Sequence, residues 1–272
     1  MNSTRSLLSW LVFPALLFAV TAGSLALLSH LPPPAVSLAV LLALVAIISA
    51  LERVVPQHRA WNGRPEWLDL LLIVLNRLVD VGLFAGTLAL AGGLQRVGVP
   101  RSVLRAWPGG APLLVQALLG ITLAEGIRYV LHRWSHRPGL LWRIHRTHHQ
   151  PGRMYTLNGP RLHPANQLWV GMAHVVPMLL LGAPLAAVIL AANVTVFFVL
   201  FQHANLRLRF DGWNRVLATP DAHRLHHRKE ASRDVNFGIV LLLFDRLCGT
   251  YRPAQEVGAR DIGLVEREQP TA

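Results

Sequence analysis

The sequence predicts an all-α integral membrane protein with about four transmembrane helices, a same-side helical hairpin and a histidine-rich helical cap that faces the cytosol. Three observations predict this fold class. Hydrophobic residues make up 53% of the 272 residues and charged residues only 15%, whereas about a quarter of a soluble domain is charged. Apolar segments of membrane-spanning length recur along most of the chain. Histidines cluster directly at the ends of such segments.

Four apolar segments are long enough to cross a hydrocarbon core of about 30 Å. Each is bounded by proline, glycine or charged residues, and together they cover residues 8–28, 35–51, 68–92 and 112–131. The chain then divides into three regions. These are N-terminal transmembrane helices in residues 1–110, a region that carries the histidine clusters in residues 111–255, and a polar tail in residues 256–272.

Residues 168–201 are also apolar, but the stretch LLLGAPLAA at 179–187 interrupts them. Neither half comfortably crosses the bilayer, so this region is predicted to be a tight helical hairpin that enters and leaves on one side. Residues 132–167 and 202–272 then share one face of the membrane, where both sets of histidines meet. Arginines are abundant in these two segments, which favours the cytoplasmic face of a bacterial inner membrane.

The charge and the cysteine content limit the possible functions. The net charge of +12 could indicate nucleic-acid binding. However, the arginines lie in short loops between apolar segments, where topology and anionic lipid headgroups account for them, so no nucleic-acid partner is expected. Cys248 is the only cysteine, which excludes a disulfide framework and a thiolate metal site. Any metal ion must therefore be bound by nitrogen or oxygen.

Three histidine clusters have the spacing of metal ligands on helices. The clusters HRWSH, HRTHH and HRLHH have histidines three or four residues apart, so each cluster presents imidazoles on one helix face. Imidazole suits iron, zinc or copper, and eight histidines exceed what one ion can bind, which predicts two metal ions. The eight residues are His132, His136, His145, His148, His149, His223, His226 and His227.

These clusters resemble those of the fatty acid hydroxylase and sterol desaturase superfamily. The resemblance covers roughly residues 121–252 and extends to EGIRYVLHRWSH, RLHP, FQHANLRL, TPDAHRLHH, DVNFG and FDRLCGTY, in that order. It implies a membrane-bound di-iron enzyme that uses O2 and two electrons to hydroxylate or desaturate a C–H bond of a lipid. The lipid could be a sterol, a fatty acyl chain, a carotenoid or an ether lipid.

The resemblance also implies a cofactor, a partner and site residues. The eight clustered histidines correspond to ligands of two iron ions, which zinc could replace on purification. His163 and His203 match positions that hold histidine in many members, so each is either a further ligand or a residue that fixes a loop. No haem-binding domain precedes the first apolar segment, so a separate ferredoxin or cytochrome is expected to supply the electrons.

Three polar residues near the clusters are candidates to orient the histidines. Glu125 lies two helical turns before His132 and faces the same way, although it could instead pair with Arg128. Asp221 and Asn236 flank the last cluster, and Asp221 could equally cap a helix after Pro220.

Two functions from other classes compete with the oxygenase. A zinc-dependent membrane hydrolase would use metal-bound hydroxide, but no cluster contains the glutamate of an HExxH motif. A non-catalytic metal-binding or transport protein would place its ligands along a path through the spans, whereas these histidines lie at the ends of apolar segments.

Overall fold

The computed structural model describes residues 3–97, 106–229 and 234–265, so residues 266–272 of the predicted tail lie outside the described residues. Within these ranges the chain is helical, with isolated β-bridges and no longer strands. The described helices are α1 (Ser3–Leu28), α2 (Pro33–Val54), α3 (Trp67–Arg96), α4 (Leu113–Ser135), α5 (Leu140–His149), α6 (Pro164–Leu180), α7 (Leu185–Phe201), α8 (Pro220–His226) and α9 (Leu243–Leu247).

Three helices are long and apolar enough to cross a membrane. They are α1 over Ser9–Leu28, α2 and α4, and they coincide with three of the four predicted spans. The fourth predicted span forms the 30-residue helix α3, which is not among the candidate spans in the described part of the chain. Its middle carries Asn76, Arg77 and Asp80, and Arg77 contacts Asp80 at 2.6 Å.

The interrupted apolar region forms the predicted helical hairpin. Helices α6 and α7 have 17 residues each, or about 26 Å at the rise of an α-helix, which is shorter than the hydrocarbon core. Gly182, with φ of +84°, lies in the tight turn between them. Helix α6 packs against α3 and α4, and α7 packs against α1, α2 and α4. The start of α6 and the end of α7 thus lie at the same end of the bundle.

An aromatic cluster joins α1 to the end of α7. Phe13 is fully buried, and its ring centroid lies 5.3–6.0 Å from those of Phe197, Phe198, Phe201 and Phe210. Rings at this separation pack favourably in offset or edge-to-face arrangements. The cluster anchors the C-terminal end of α7 directly before His203.

The outer surface of the bundle is apolar, as expected for contact with lipid. Phe18 on α1 is 74% exposed, Leu42 on α2 is 60% exposed and Leu118 on α4 is 57% exposed. A water-soluble protein rarely exposes a continuous apolar surface of this kind. The structure therefore supports the predicted membrane location.

We expect Phe13→Ala to lower the free energy of unfolding by about 3–5 kcal/mol, because truncating a buried phenylalanine leaves a cavity. Phe18→Ala on the same helix is the matched control and should change the free energy of unfolding by less than about 0.5 kcal/mol, since its side chain is exposed. Unfolding titrations in detergent micelles measure both values, and equal losses would contradict this account of the core.

Candidate metal centre

Nine buried or half-buried histidines form two adjacent groups in the described part of the chain. Within each group, one ligand nitrogen of every histidine lies within 4.8 Å of those of the others. The two groups touch, since the His149 and His227 rings stack with centroids 4.4 Å apart. The five-histidine group contains His132, His136, His145, His149 and His226, and the four-histidine group contains His148, His203, His223 and His227.

The helical repeat explains how each cluster divides between the groups. Residues four apart share a group, as in the pairs His132/His136, His145/His149 and His223/His227. Consecutive residues are rotated by about 100° on a helix, so neighbouring histidines point to different groups. His148 and His149 separate in this way, as do His226 and His227. The sequence spacing alone allows His145 to share a helix face with His148 or His149, and the structure selects His149.

Backbone carbonyl groups fix the orientation of three imidazoles. The Nδ1 atom of His132 lies 2.7 Å from the Phe237 carbonyl oxygen, that of His226 lies 3.0 Å from Val235 O, and that of His203 lies 3.0 Å from Val199 O. A carbonyl oxygen can only accept a hydrogen bond, so Nδ1 carries the proton. In a neutral imidazole, Nε2 then keeps its lone pair for a metal ion.

Two side chains that sequence reasoning did not single out orient two more imidazoles. His145 Nδ1 lies 2.7 Å from Asn166 Oδ1, and His136 Nδ1 lies 3.0 Å from Asp234 Oδ1. Asp234 begins the DVNFG segment, and Asn166 lies two residues after RLHP. Their spacing to the histidines carries no periodic signal, because they belong to other parts of the chain.

The Nε2 atoms crowd together inside each group. In the five-histidine group, Nε2 of His145 lies 3.1 Å from that of His132 and 3.2 Å from that of His149. His132 and His145 both have an acceptor at Nδ1, so two lone pairs face each other. In the four-histidine group, Nε2 of His227 lies 3.0 Å from that of His223 and 3.2 Å from that of His203. A cation between such nitrogens removes their repulsion, so these residues fit metal binding.

Burial keeps the candidate ligands in the neutral form that binds metal. Desolvation lowers the pKa of His148, His149, His223, His226 and His227 well below the ordinary value, and the neighbouring histidines lower it further. Burial likewise lowers the pKa of His203 to about 3. These imidazoles therefore stay unprotonated at neutral pH.

Among the described residues, the hydrogen bonds of the Glu125 carboxylate are to backbone N–H groups and not to a histidine. The carboxylate accepts hydrogen bonds from the backbone N–H of Ile239 at 2.6 Å and of Val240 at 3.0 Å. Asp245 similarly accepts from Phe237 N and Gly238 N, both at 2.8 Å. The two carboxylates hold the loop whose carbonyl groups orient His132 and His226.

Asp221 and Asn236 also act on the backbone around the centre. Asp221 binds Arg224 at 2.7 Å, and Arg224 donates to the carbonyl oxygens of Ala204 and Leu206, beside His203. The cap of α8 is Thr219 and not Asp221. Asn236, with φ of +52°, donates to the carbonyl groups of Ala222 and Arg252 at 3.0 Å.

The structure separates the two additional histidines. His203 directly follows α7 and joins the four-histidine group. His163 is exposed and lies outside both groups. Its Nδ1 atom accepts a hydrogen bond from Ala165 N at 3.2 Å and caps the N-terminus of α6.

Comparisons with known proteins agree with this geometry. The sequence model of the fatty acid hydroxylase family matches residues 117–250, a range that contains both histidine groups. The ornithine lipid hydroxylase OlsE of Rhizobium tropici is 31% identical over 231 residues, an alignment that covers 83% of this chain and 70% of that protein. No solved structure matches the chain.

We expect His203→Ala to reduce the metal content by about one ion per chain. The four-histidine group has about as many ligands as one metal ion requires, and the variant removes one of them. His163→Ala is the matched variant and should keep the full metal content. It should cost about 1 kcal/mol of stability through the lost helix cap. Elemental analysis of the purified variants measures the metal content. Equal metal loss in both variants would contradict the division made by the structure.

We expect Glu125→Gln to weaken metal binding by about 10–100-fold, the usual cost of disturbing residues that orient ligands. The amide keeps the shape of the carboxylate, but its NH2 group cannot accept the hydrogen bond of a backbone N–H. Metal competition titrations measure the affinity. Glu256→Gln, an exposed carboxylate elsewhere, is the control. Unchanged affinity in Glu125→Gln would show that the loop does not depend on this residue.

Proposed function

The chain belongs to the fatty acid hydroxylase family, and on this premise we propose that it is a membrane-bound lipid hydroxylase with a di-iron centre. The observation that carries the proposal is the pair of all-histidine groups inside the range that the family model matches. Both the family and the relative are named for hydroxylation, so we propose hydroxylation rather than desaturation.

The histidines would hold one iron ion in each group. Iron bound there supplies the redox chemistry that joins an oxygen atom from O2 to a C–H bond with two electrons. The protein supplies geometry: the carbonyl groups of Phe237, Val235 and Val199 and the side chains of Asn166 and Asp234 fix the imidazoles. Burial of eight of the nine histidines excludes bulk water from the centre.

The ligand composition supports iron over zinc. A catalytic zinc ion usually keeps about three protein ligands and one open position. Groups of four and five histidines would fill the shell of zinc, whereas iron accepts more ligands and keeps positions open for other molecules. Neither group of described residues includes a carboxylate that could act as the general base of a hydrolase. The groups also lie at one end of the bundle, which does not favour a transport path through the spans.

The substrate is proposed to be a membrane lipid that approaches along α4. Ile127, Val130 and Trp134 are exposed on this helix, next to the turn that carries His132, so a lipid in the bilayer can lie beside the histidine end of the helix. Because the relative is named for ornithine lipid, an amino-acid lipid is the first substrate to test.

The proposal includes the cytoplasmic face of a bacterial inner membrane as the location of the centre. The arginines that flank the histidine clusters support this orientation. We further propose that a separate protein of the ferredoxin or cytochrome type delivers the electrons, as the resemblance to the superfamily implies.

The experiment expresses the chain in cells that contain ornithine lipid and analyses the lipids by mass spectrometry. We expect a lipid with one added oxygen atom in cells with the wild-type chain and none with His148→Ala, which removes a nitrogen from the four-histidine group. His30→Ala, in an exposed turn between α1 and α2, is the control and should keep the product.

Mössbauer spectra of protein purified from iron-replete cells should show about two coupled iron ions per chain. Tightly bound zinc without iron, together with hydrolysed lipid products, would overturn the proposal in favour of a hydrolase.

A further inference from the structure

A second polar site lies on α4, one turn before His132. Arg128 is only 3% exposed, and its Nε and Nη1 atoms have no hydrogen-bond partner among residues 3–97, 106–229 and 234–265. An arginine inside a membrane protein is costly to bury and usually pairs with another group or serves a function. Its guanidinium group therefore has donors that remain available to a ligand.

The nearest acidic residue does not neutralise this group by direct contact. Both oxygens of Glu125 accept hydrogen bonds from the backbone N–H groups of Ile239 and Val240. Among the described residues, no carboxylate oxygen lies within 4.0 Å of the Arg128 nitrogens. The described residues thus supply no ion-pair partner for Arg128.

A complementary acceptor lies on α6, a helix that packs against α4. His174 lies on α6 and is 5% exposed. The Nε2 atom of His174 lies 3.4 Å from the Val188 carbonyl oxygen, so Nε2 is the donor. Its Nδ1 atom then carries a lone pair, and this buried atom also has no partner in the part of the chain that the structure describes. Two donors of Arg128 and one acceptor of His174 are therefore unused among the described residues of two helices that pack together.

We propose that Arg128 and His174 bind the headgroup of an N-acylated amino-acid lipid, with its carboxylate on Arg128 and its amide N–H on Nδ1 of His174. In such a lipid the carboxylate and the amide N–H are attached to the same carbon atom, which suits a donor and an acceptor on two helices that pack together. A fatty acid offers the carboxylate without the amide N–H, and a neutral lipid offers no carboxylate. Guanidinium is the side chain best suited to bind a carboxylate.

The position of the site connects it with the proposed function, on which this inference rests. Arg128 and His132 are four residues apart, so they lie on one face of α4 at an axial distance of about 6 Å. A headgroup held by Arg128 would therefore be fixed about one helical turn from the histidine groups. Arg128 and His174 are positioning residues for the lipid and do not contact the proposed iron ions.

The test measures lipid binding to the full chain in phosphatidylcholine nanodiscs. The probes are an N-acyl ornithine lipid, its carboxyl methyl ester and the corresponding free fatty acid. We expect the wild-type chain to bind the ornithine lipid at least about tenfold more tightly than the ester or the fatty acid, and Arg128→Met to lose this preference. His174→Phe should reduce the preference over the fatty acid but keep the preference over the ester.

Thermal unfolding provides a second readout that a purely structural role would not give. Arg128→Met should leave the Tm of the lipid-free protein unchanged or raise it, because it removes a buried charge without a partner. The variant should, however, lose the rise in Tm that the ornithine lipid causes in the wild type. Arg53→Met, at an exposed arginine on α2, is the control and should retain that rise.

The inference would be overturned if Arg128→Met bound the lipid with wild-type affinity. It would also be overturned if this variant failed to fold, because an arginine whose role is to bind a ligand is not required for folding. The inference and the proposed function fail in different ways. Lipid hydroxylation that persists in Arg128→Met would reject this site and keep the function. Arg128-dependent binding without any oxidation of the lipid would keep the site and reject the function.

Discussion

The lone pairs of several buried imidazoles point at one another, and the fold around the histidines must hold them in this repulsive arrangement. Nε2 of His132 lies 3.1 Å from Nε2 of His145, and each ring is fixed in this orientation by an acceptor at Nδ1. Burial makes protonation unfavourable, so a bound cation is the remaining way to relieve the repulsion. Such an arrangement is stable only where the surrounding backbone holds the rings in place, and Glu125 and Asp245 hold the loop that does so.

The hairpin of α6 and α7 is the second requirement. Its two ends both reach the centre, because Asn166 at the start of α6 orients His145 and His203 after α7 contacts His227. Two helices of 17 residues return the chain to the level at which it started. The aromatic cluster around Phe13 then fixes the end of α7 against α1. Residues far apart in the sequence thus meet because two consecutive helices have equal length.

Sequence reasoning could predict what depends on local periodicity. The helical class, the hairpin at LLLGAPLAA and the shared face of the histidine clusters follow from apolar length and from the helical repeat. The helix at residues 68–92 was also predictable. However, its polar residues keep it out of the candidate spans among the described residues, which are α1, α2 and α4. The roles of Glu125, Asp221 and Asn236 could not be derived, because each binds backbone atoms in segments remote in sequence. The same reason hides Asp234 and Asn166, and only packing distinguishes His203 from His163.

Neighbouring histidines alternate between the two groups, so the geometries of the two sites depend on the same helices. His148 and His149 belong to different groups, as do His226 and His227, so α5 and α8 each contribute to both sites through a single rotational setting. A one-residue insertion in either helix turns every following ligand by about 100° and misdirects the ligands of both sites together. The paired histidines therefore tie both sites to the rotation of the same two helices, so a change in that rotation affects both sites at once.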